Sequence, residues 1–387
     1  MKVLQIGKFF PLRGGVEKVI FALTEGLSER DVTCDMLCAK FRGVPFDEED
    51  IPRSSLRGRL EVLTLNAHGR VLCVRAWARK AATMIAPYMI VWLRRHCNEY
   101  DIIHIHHPDP MACLALRLSG FRGEVVLHWH SDIVSQRFFL HLYGPLQRWL
   151  IRRSRCVVGT TPVYVENSPF LQGAKDKLEC IPIGCHPVTC RREQAEEFRR
   201  RFAAPHLVFS LGRLVPYKGF EYLISAMEFL DGNYHLLLGG DGRLRAEMEK
   251  LIEEKGLQDR VTLAGYLENG TIPIAFTAAD VFVMSSVMKS EAFGIVQIEA
   301  MSCGTPVVTT DVPGSGMSWV NAQGESGLVV PPRDPEALAA AIRGICEDSA
   351  AHERLSAGAR ERYERLFAFP VMIDKTIQLY EKIHSKN

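Results

Sequence analysis

Short apolar runs alternate with amphipathic helical stretches along the whole chain, and this alternation restricts the fold more than any other feature. Runs rich in β-branched residues predict strands at 2–7, 102–106, 125–130, 157–160 and 178–182. A second series predicts strands at 207–212, 235–239, 261–264, 281–285 and 306–310. Strands that alternate with helices are typical of parallel sheets covered by helices on both faces. Two such series predict an α/β chain of two Rossmann-like, doubly wound domains.

The domain borders follow from length and composition. A chain of 387 residues fits two domains. We predict a first domain over 1–185 and a second over 186–368, because proline, glycine and charge collect at 184–193. The last helical stretch, 369–387, is predicted to return to the first domain. Ligands of open α/β sheets bind beyond the carboxyl ends of the strands, so two facing sheets predict an interdomain cleft.

Charge is balanced overall but uneven along the chain. The formal net charge is +2, which gives no reason to expect nucleic acid as a partner. Residues 1–185 hold 25 Lys/Arg against 18 Asp/Glu, a net of +7, and the remaining 22 against 27 give −5. A basic first half is typical of a domain that meets an anionic acceptor or surface. Ordinary drift in charge explains it equally well.

Cysteine spacing and the apolar runs indicate a reducing compartment and no membrane span. The eleven cysteines form no CxxC and lie in apolar stretches, as small buried side chains do. The apolar part of the N-terminus is too short for a signal peptide. The longest apolar run, 84–93, is far below the ~20 residues that span a bilayer. We expect a soluble or peripherally attached cytoplasmic protein.

The first motif is a glycine pair between a strand and a helix. Residues 10–17 read FPLRGGVE, with Gly14 and Gly15 at the predicted start of the helix. Glycines allow a phosphate to approach the backbone, and the helix dipole favours an anion there. A plain tight turn is the simpler interpretation, and the motif alone favours it slightly.

The second motif places two cations at a strand end. Residues 212–219 read GRLVPYKG, so Arg213 and Lys218 follow one strand and precede a helix. A guanidinium fork and a mobile ammonium suit a diphosphate and would stabilise it as it leaves. The alternative, two solvated surface cations, is less favoured.

The third motif holds two carboxylates around a helix start. Residues 291–301 read EAFGIVQIEAM, with Glu291 before the predicted helix and Glu299 about two turns into it. A continuous helix would separate the two by roughly 12 Å, too far for the ~5 Å pair of a retaining hydrolase. The spacing suits a nucleotide sugar, with Glu291 on the sugar, Glu299 on the ribose, and the amides of Phe293, Gly294 and Ile295 on the phosphates.

The fourth and fifth motifs are weaker. His130 ends the strand in HWHSD, where it could donate a hydrogen bond to a sugar hydroxyl or a phosphate. A metal shared with His106 is the rival interpretation, but no ligand spacing supports it. His128 is expected in the core. Gly240, in GGDG after a strand, either approaches the nucleotide or simply forms a turn.

Together these residues resemble the family-four retaining glycosyltransferases, which have the GT-B fold. The resemblance covers nearly the whole chain in the right order, and the most specific part is Glu291 to Glu299 followed by AMSCGTPVV. It implies that Arg213 and Lys218 bind the diphosphate, that Glu291 contacts the donor sugar and that Glu299 contacts the ribose. It also places His130 near the reaction centre. The chain departs from the family at 184–186, where Gly-Cys-His replaces Gly-x-Asp.

A narrower likeness concerns the substrates. Residues 130–134 and 143–146 look like bacterial mannosyl- and rhamnosyltransferases of surface-polysaccharide and O-antigen assembly. This implies a hexosyltransferase with a GDP-mannose or related GDP-sugar donor, with a UDP-sugar donor or a sugar-nucleotide epimerase as alternatives. The acceptor would be a glycan or a lipid-linked oligosaccharide at the inner membrane face. Basic, aromatic-rich stretches at 74–95 and 137–155 fit attachment to anionic lipid, or two ordinary basic helices. The chain has no DxD motif of the kind that binds a divalent metal at the donor diphosphate, and Arg213 and Lys218 could take the place of that metal. We therefore expect transfer without a metal or other cofactor.

Overall fold

The computed structural model describes residues 1–10, 14–41, 53–57, 59–80, 83–133 and 137–385. The chain forms two compact units, Met1–Pro182 with Met372–Asn387, and Ile183–Val371. Each border lies three residues from the predicted one, at 182 against 185 and at 371 against 368.

The first unit contains the following elements: β1 Lys2–Phe9, α1 Gly15–Ser28, β2 Thr33–Lys40, β3 Arg53–Arg57, β4 Leu60–Thr64, β5 Gly69–Arg75, β6 Ala78–Lys80, β7 Thr83–Ile85, α2 Tyr88–His96, β8 Ile102–His107, α3 Pro110–Ser119, β9 Glu124–Trp129, α4 Arg137–Arg153, β10 Cys156–Gly159, α5 Pro162–Glu166 and β11 Leu178–Cys180.

One sheet organises this unit, in the strand order β11-β10-β9-β8-β1-β2-β5-β4-β3. All neighbours are parallel except β3 and β4, which extend the edge beyond β5 as antiparallel strands. The chain moves from β1 to β2 on one side and later to β8 on the other. The topological switch point therefore lies between the carboxyl ends of β1 and β8, where open α/β sheets place ligands.

Local sequence explains the elements nearest this switch point. Every residue of β8 is buried, as expected for a strand covered on both faces. Asp109 caps α3 by accepting from the amides of Met111 and Ala112, and Pro110 occupies the first turn. Gly120, with φ of 79°, ends the helix in the left-handed conformation.

The stretch 74–95 differs from the continuous basic helix that we considered. It contains the end of β5, the hairpin β6–β7 and most of α2. Pro87 stands immediately before α2, at a helix start, where proline is tolerated best.

The second unit contains α6 Arg192–Arg199, β12 His206–Leu211, α7 Phe220–Ala226, β13 Tyr234–Gly239, α8 Arg245–Glu254, β14 Val261–Gly265, α9 Thr271–Ala278, β15 Val281–Met284, α10 Ile295–Ser302, β16 Val307–Thr310, α11 Met317–Val320, β17 Gly327–Val330, α12 Pro335–Cys346 and α13 Ser349–Arg362. Helix α14, Phe369–His384, begins in this unit and joins the first unit from Met372 onward.

The second sheet is entirely parallel, in the order β14-β13-β12-β15-β16-β17. Numbered from its own first strand, this order is 3-2-1-4-5-6, the Rossmann arrangement. Its switch point lies between β12 and β15. A core of fully buried aliphatic side chains, including Val208, Leu236 and Val283, packs the sheet against its helices.

Helix α14 packs onto the first unit. Tyr380 is fully buried and accepts a hydrogen bond from the Gln5 side-chain amide at 3.0 Å. At the surface, ion pairs join Arg30 to Asp374 at 3.0 Å and Lys382 to Glu179 at 2.6 Å.

All eleven cysteines are free thiols, and six of them are buried. No helix in the described part of the chain has the length and apolar character needed to cross a bilayer.

Candidate active site

The switch point of the second sheet brings two predicted motifs together. The loop after β12 is held against the loop after β15, because the Val287 amide donates to the Tyr217 carbonyl at 2.8 Å. The Ser285 hydroxyl donates to the Lys218 carbonyl at 3.0 Å. Gly219 makes this contact possible, since it has φ of 62° and a Cβ there would stand 2.4 Å from the Ser285 carbonyl oxygen.

Lys218 and Glu291 form an ion pair across these loops. The Lys218 Nζ lies 2.6 Å from the Glu291 Oε2, and the side chains are only 11% and 14% exposed. Each charge therefore depends on the other for compensation, because water reaches both poorly. Both residues were predicted for donor binding, but their pairing was not.

Arg213 stands apart from this pair. Its side chain is exposed, and its Nη2 donates to the Tyr217 hydroxyl at 3.2 Å. The same tyrosine ring lies 5.8 Å from the Lys218 Nζ. Arg213 is thus accessible to a ligand at the loop after β12.

The turn after β13 packs on the same loop. Gly240 has φ of 122°, and a Cβ there would stand 1.9 Å from the Gly212 carbonyl oxygen. Gly242 approaches the Leu214 backbone in the same way, at 2.5 Å. The Leu214 amide donates to the Asp241 carbonyl at 3.0 Å. Close backbone packing therefore requires Gly240, whether or not a nucleotide also touches it.

The segment before α10 differs from the predicted continuous helix. Helix α10 begins at Ile295, so Glu291 precedes it by four residues and Glu299 lies about one turn inside, not two. The estimate of roughly 12 Å between the two carboxylates assumed helical rise throughout and does not apply. Gly294 breaks the helix with φ of 76°, and a Cβ there would meet the Met284 side chain at 2.6 Å.

Side chains around this segment fix its backbone. Phe293 is buried and packs edge-on against Phe367 with centroids 5.9 Å apart, so only its backbone can serve a ligand. The fully buried Gln297 donates to the Phe293 carbonyl at 2.6 Å. The first amides of α10, starting with Ile295, have no intrahelical acceptor and suit an anion.

In the first unit, Gly14 immediately precedes α1 and Gly15 is its first residue. Residues 11–13 of this motif lie outside the described residues. The buried Glu17 folds its carboxylate over Gly14, where a Cβ would stand 2.0 Å from the Glu17 Oε2. A negative side chain therefore already covers the amino end of α1.

His130 directly follows β9 and belongs to a buried group of histidines. Its Nε2 lies 2.8 Å from the His106 Nδ1, and the His106 Nε2 lies 2.7 Å from the Gln5 Oε1. Burial lowers the pKa of His130 and that of His106 well below the usual range, with neighbouring histidines adding to the effect. Both rings are therefore neutral near pH 7. His128 is buried as expected, and burial lowers its pKa to about 3.

The histidine group also bears on the metal interpretation. Ring nitrogens of His104, His106 and His128 lie within 4.8 Å of one another. The planes of the three rings are nearly parallel, with interplanar angles of 14° to 22°. Both nitrogens of His106 are already hydrogen-bonded. A metal at these three histidines would therefore have to displace a hydrogen bond of His106.

Comparison with known proteins identifies the class to which this fold and site belong. The model of the family "Glycosyltransferase Family 4" matches residues 13–187, and that of "Glycosyl transferases group 1" matches residues 192–362. The two matches together cover most of the chain, one in each unit. The chain belongs to these glycosyltransferases, as the sequence resemblance predicted.

Two bacterial relatives match along nearly their whole length. The O-antigen chain mannosyltransferase C of Escherichia coli is 29% identical over 384 residues, 98% of each chain. The D-rhamnosyltransferase WbpZ of Pseudomonas aeruginosa is 28% identical over 364 residues, 92% of this chain and 88% of that one. The narrower likeness to mannosyl- and rhamnosyltransferases is confirmed.

Solved structures confirm the GT-B fold. HepE of Anabaena, in complex with UDP, superposes with a TM-score of 0.80 over 99% of this chain and 100% of that chain, at 20% identity. A sucrose-phosphate synthase from Thermosynechococcus elongatus gives 0.78 over 100% of both chains, at 24% identity.

Proposed function

We propose that this chain is a retaining hexosyltransferase that takes its sugar from a nucleoside diphosphate donor and adds it to a glycan or lipid-linked acceptor of a surface polysaccharide. The observation that carries the proposal is the largely buried ion pair of Lys218 and Glu291 at the switch point of the second sheet. Removing two charges from water costs free energy. Such a cost is more often found at a functional site, and this pair lies where α/β sheets bind ligands.

The donor site is assigned residue by residue. Arg213, Lys218 and the amides of Phe293, Gly294 and Ile295 would hold the diphosphate, since cations and a helix start both favour anions. Glu291, oriented by Lys218, would accept hydrogen bonds from the donor sugar. Glu299 would hold the ribose.

Three further predicted contacts complete the assignment. His130 would contact the sugar near the reaction centre. Gly240 keeps the β13 turn close to the Gly212 loop, which shapes the donor side of the site. Gly14 and Gly15 are assigned to the acceptor side or the phosphates.

The proposed transfer proceeds on one face of the sugar. The bond from the anomeric carbon to the phosphate oxygen breaks, and the diphosphate leaves towards Arg213 and Lys218. The acceptor hydroxyl attacks the same face, and its proton passes to the leaving phosphate oxygen. The two cations stabilise the charge that develops on the diphosphate, the task that a divalent metal performs in other enzymes.

For the donor, we favour a GDP-linked mannose or deoxyhexose. The support comes from the full-length relatives, which are named as a mannosyltransferase and a D-rhamnosyltransferase. A UDP-sugar is the alternative, since the HepE structures hold UDP or UDP-glucose.

We also propose that the first unit contacts an anionic membrane at the cytoplasmic face. Trp77 is 72% exposed, and its amide donates to the carbonyl of Ile85, another exposed apolar residue, at 2.8 Å, so the two residues are neighbours at the open end of the β6–β7 hairpin. Arg75 and Arg79 beside them are exposed. Exposed apolar side chains among cations suit a lipid interface. Flotation with vesicles containing anionic lipid tests this, and equal binding by Trp77→Ala would count against it.

The activity itself is tested with purified protein and a panel of GDP-, UDP- and ADP-sugars. A donor present above its Kd raises the melting temperature by mass action. We expect a GDP-sugar to do so, excess chelator to leave turnover unchanged, and NMR of the product to show the donor's anomeric configuration. Turnover lost to chelator and restored by Mg²⁺ or Mn²⁺ would refute the metal-free mechanism, and an inverted product would refute retention.

A further inference from the structure

A continuous chain of hydrogen bonds crosses the interior of the first unit and ends at His130. It runs from His130 to His106 at 2.8 Å, from His106 to Gln5 at 2.7 Å, and from Gln5 to Tyr380 at 3.0 Å. From Tyr380 it continues to His104 at 2.5 Å. All five side chains are buried, so water does not compete for these bonds.

We propose that Gln5 and His106 are positioning residues, which hold His130 as a neutral imidazole with its proton on Nε2 and a bare Nδ1 that accepts a hydrogen bond from a substrate hydroxyl. This inference rests on the proposed function, in which His130 contacts the sugar, and it specifies the chemistry of that contact.

The direction of each proton follows from the Gln5 amide. Its Oε1 can only accept, so the His106 Nε2 must carry a proton and donate it. A neutral His106 then has a bare Nδ1, which accepts from the His130 Nε2. On the other side, the Gln5 amide nitrogen donates to Tyr380. If the oxygen and nitrogen of the Gln5 amide exchanged places, donor and acceptor would be reversed in every hydrogen bond of the chain.

Packing keeps the His130 ring in this orientation. It lies parallel to His128 with centroids 4.1 Å apart and an interplanar angle of 4°, and its plane is inclined by 17° to that of His106, to which it is hydrogen-bonded. A ring flip would break the bond to His106 inside the protein. The His130 Nδ1 has no hydrogen-bond partner among the residues that the structure describes, so it is available to a ligand.

A bare Nδ1 selects its partner. A hydroxyl can donate to it, whereas an ionised phosphate has only acceptor oxygens and cannot. The sequence alone allowed His130 to donate to either group; in this tautomer His130 accepts from a hydroxyl and does not bind the phosphate. A sugar without this hydroxyl would leave the His130 Nδ1 unpaired in the site. The site would therefore bind that sugar less well than one that has the hydroxyl.

The surroundings of His130 keep it neutral. The titratable groups that face it are Lys8 of β1, His104, His106 and His107 of β8, and His128 of β9. None of these is acidic, so none of these neighbours stabilises an imidazolium. Replacing Gln5 by glutamate would introduce such a charge and is therefore the informative change.

Long-range ¹H–¹⁵N spectra of ¹⁵N-histidine protein report the tautomer directly, with His130→Gln and His106→Gln used for assignment. We expect the protons of both rings on Nε2. A proton on the His130 Nδ1 would overturn the proposal. This measurement needs no donor, so it stands even if every nucleotide sugar fails to bind, a result that would refute the proposed function instead.

Gln5→Glu tests the role in turnover. A carboxylate beside His106 favours the protonated pair, so the acid limb of the pH dependence of kcat/KM should move up by about one unit or more. The matched control is Gln147→Glu, which places the same charge beside His107, outside the chain. An unchanged acid limb in a folded, donor-binding Gln5→Glu variant would overturn the proposal. If that variant does not fold, the NMR measurement of the His130 tautomer in the wild-type protein tests the proposal instead.

Discussion

Breaking the Lys218–Glu291 pair should reduce stability, and removing both charges should restore it. Loss of one partner from a buried ion pair costs ~3–5 kcal/mol, and the 11% and 14% exposure places this pair near the lower end. We expect Lys218→Met or Glu291→Gln alone to lower the free energy of unfolding of the second unit by about 3 kcal/mol. For a unit of this size, that corresponds to roughly 6–12 °C in Tm.

The double variant Lys218→Met/Glu291→Gln separates stability from function. With no unpaired charge left, its stability should lie within about 1 kcal/mol of the wild type. Donor binding should not return, because the charge-assisted contacts, each worth ~1.5–3 kcal/mol, are gone. We therefore expect a Kd for the donor raised at least about 10-fold.

Thermal unfolding and donor titration of the four proteins measure both quantities. The control is Arg192→Met, which breaks the exposed pair with Glu196, whose side chains are 88% and 51% exposed, and should cost below about 1 kcal/mol. A double variant no more stable than either single variant would show that the charges do not compensate each other. A double variant with wild-type donor affinity would show that the pair is structural.

Three further changes test the structure around the site. Gly240→Ala should destabilise the second unit by at least about 3 kcal/mol, because its Cβ would lie 1.9 Å from the Gly212 carbonyl oxygen; Gly232→Ala, with no atom within 4 Å, is the control in the same thermal assay. Arg213→Ala should leave Tm unchanged, because the side chain is exposed, and should weaken donor binding about 10-fold in titration. His128→Phe should reduce the loss of stability in acid. The pKa of His128 is lowered from 6.5 to about 3 in the folded protein, so the unfolded state binds a proton as the pH falls below 6.5, and this costs the wild type on the order of 1 kcal/mol at pH 5.5 relative to pH 8. Unfolding measured at both pH values checks this, and equal pH slopes would contradict it.

The sequence predicted the parts of the site that depend on strand order. A run of apolar residues followed by GRLVPYKG indicates a strand end, and ligands of parallel sheets gather at strand ends. We predicted a donor site at Arg213, Lys218 and Glu291 in this way, without knowledge of which strands are neighbours. The structure adds that β12 and β15 are adjacent, which brings the two motifs into contact.

Pairing between distant residues lay beyond what periodicity can show. No local pattern relates Gln5 to Tyr380, which are 375 residues apart, because only the return of α14 to the first unit brings them together. The sequence analysis also did not predict the antiparallel extension β3–β4 or the hairpin β6–β7. Their short strands carry charged and polar residues, since edge strands need not be apolar.

The two units place different chemistry at the same topological position. At the switch point of the second sheet lie a lysine, an exposed arginine and the start of α10. In the first unit the Glu17 carboxylate covers the start of α1, and the nearby histidines are neutral. A phosphate at Gly14 would meet a negative charge, whereas one at Lys218 would meet a positive charge. This difference in charge supports the proposed assignment of the diphosphate to the second unit, and it favours the acceptor side over the phosphates for Gly14 and Gly15.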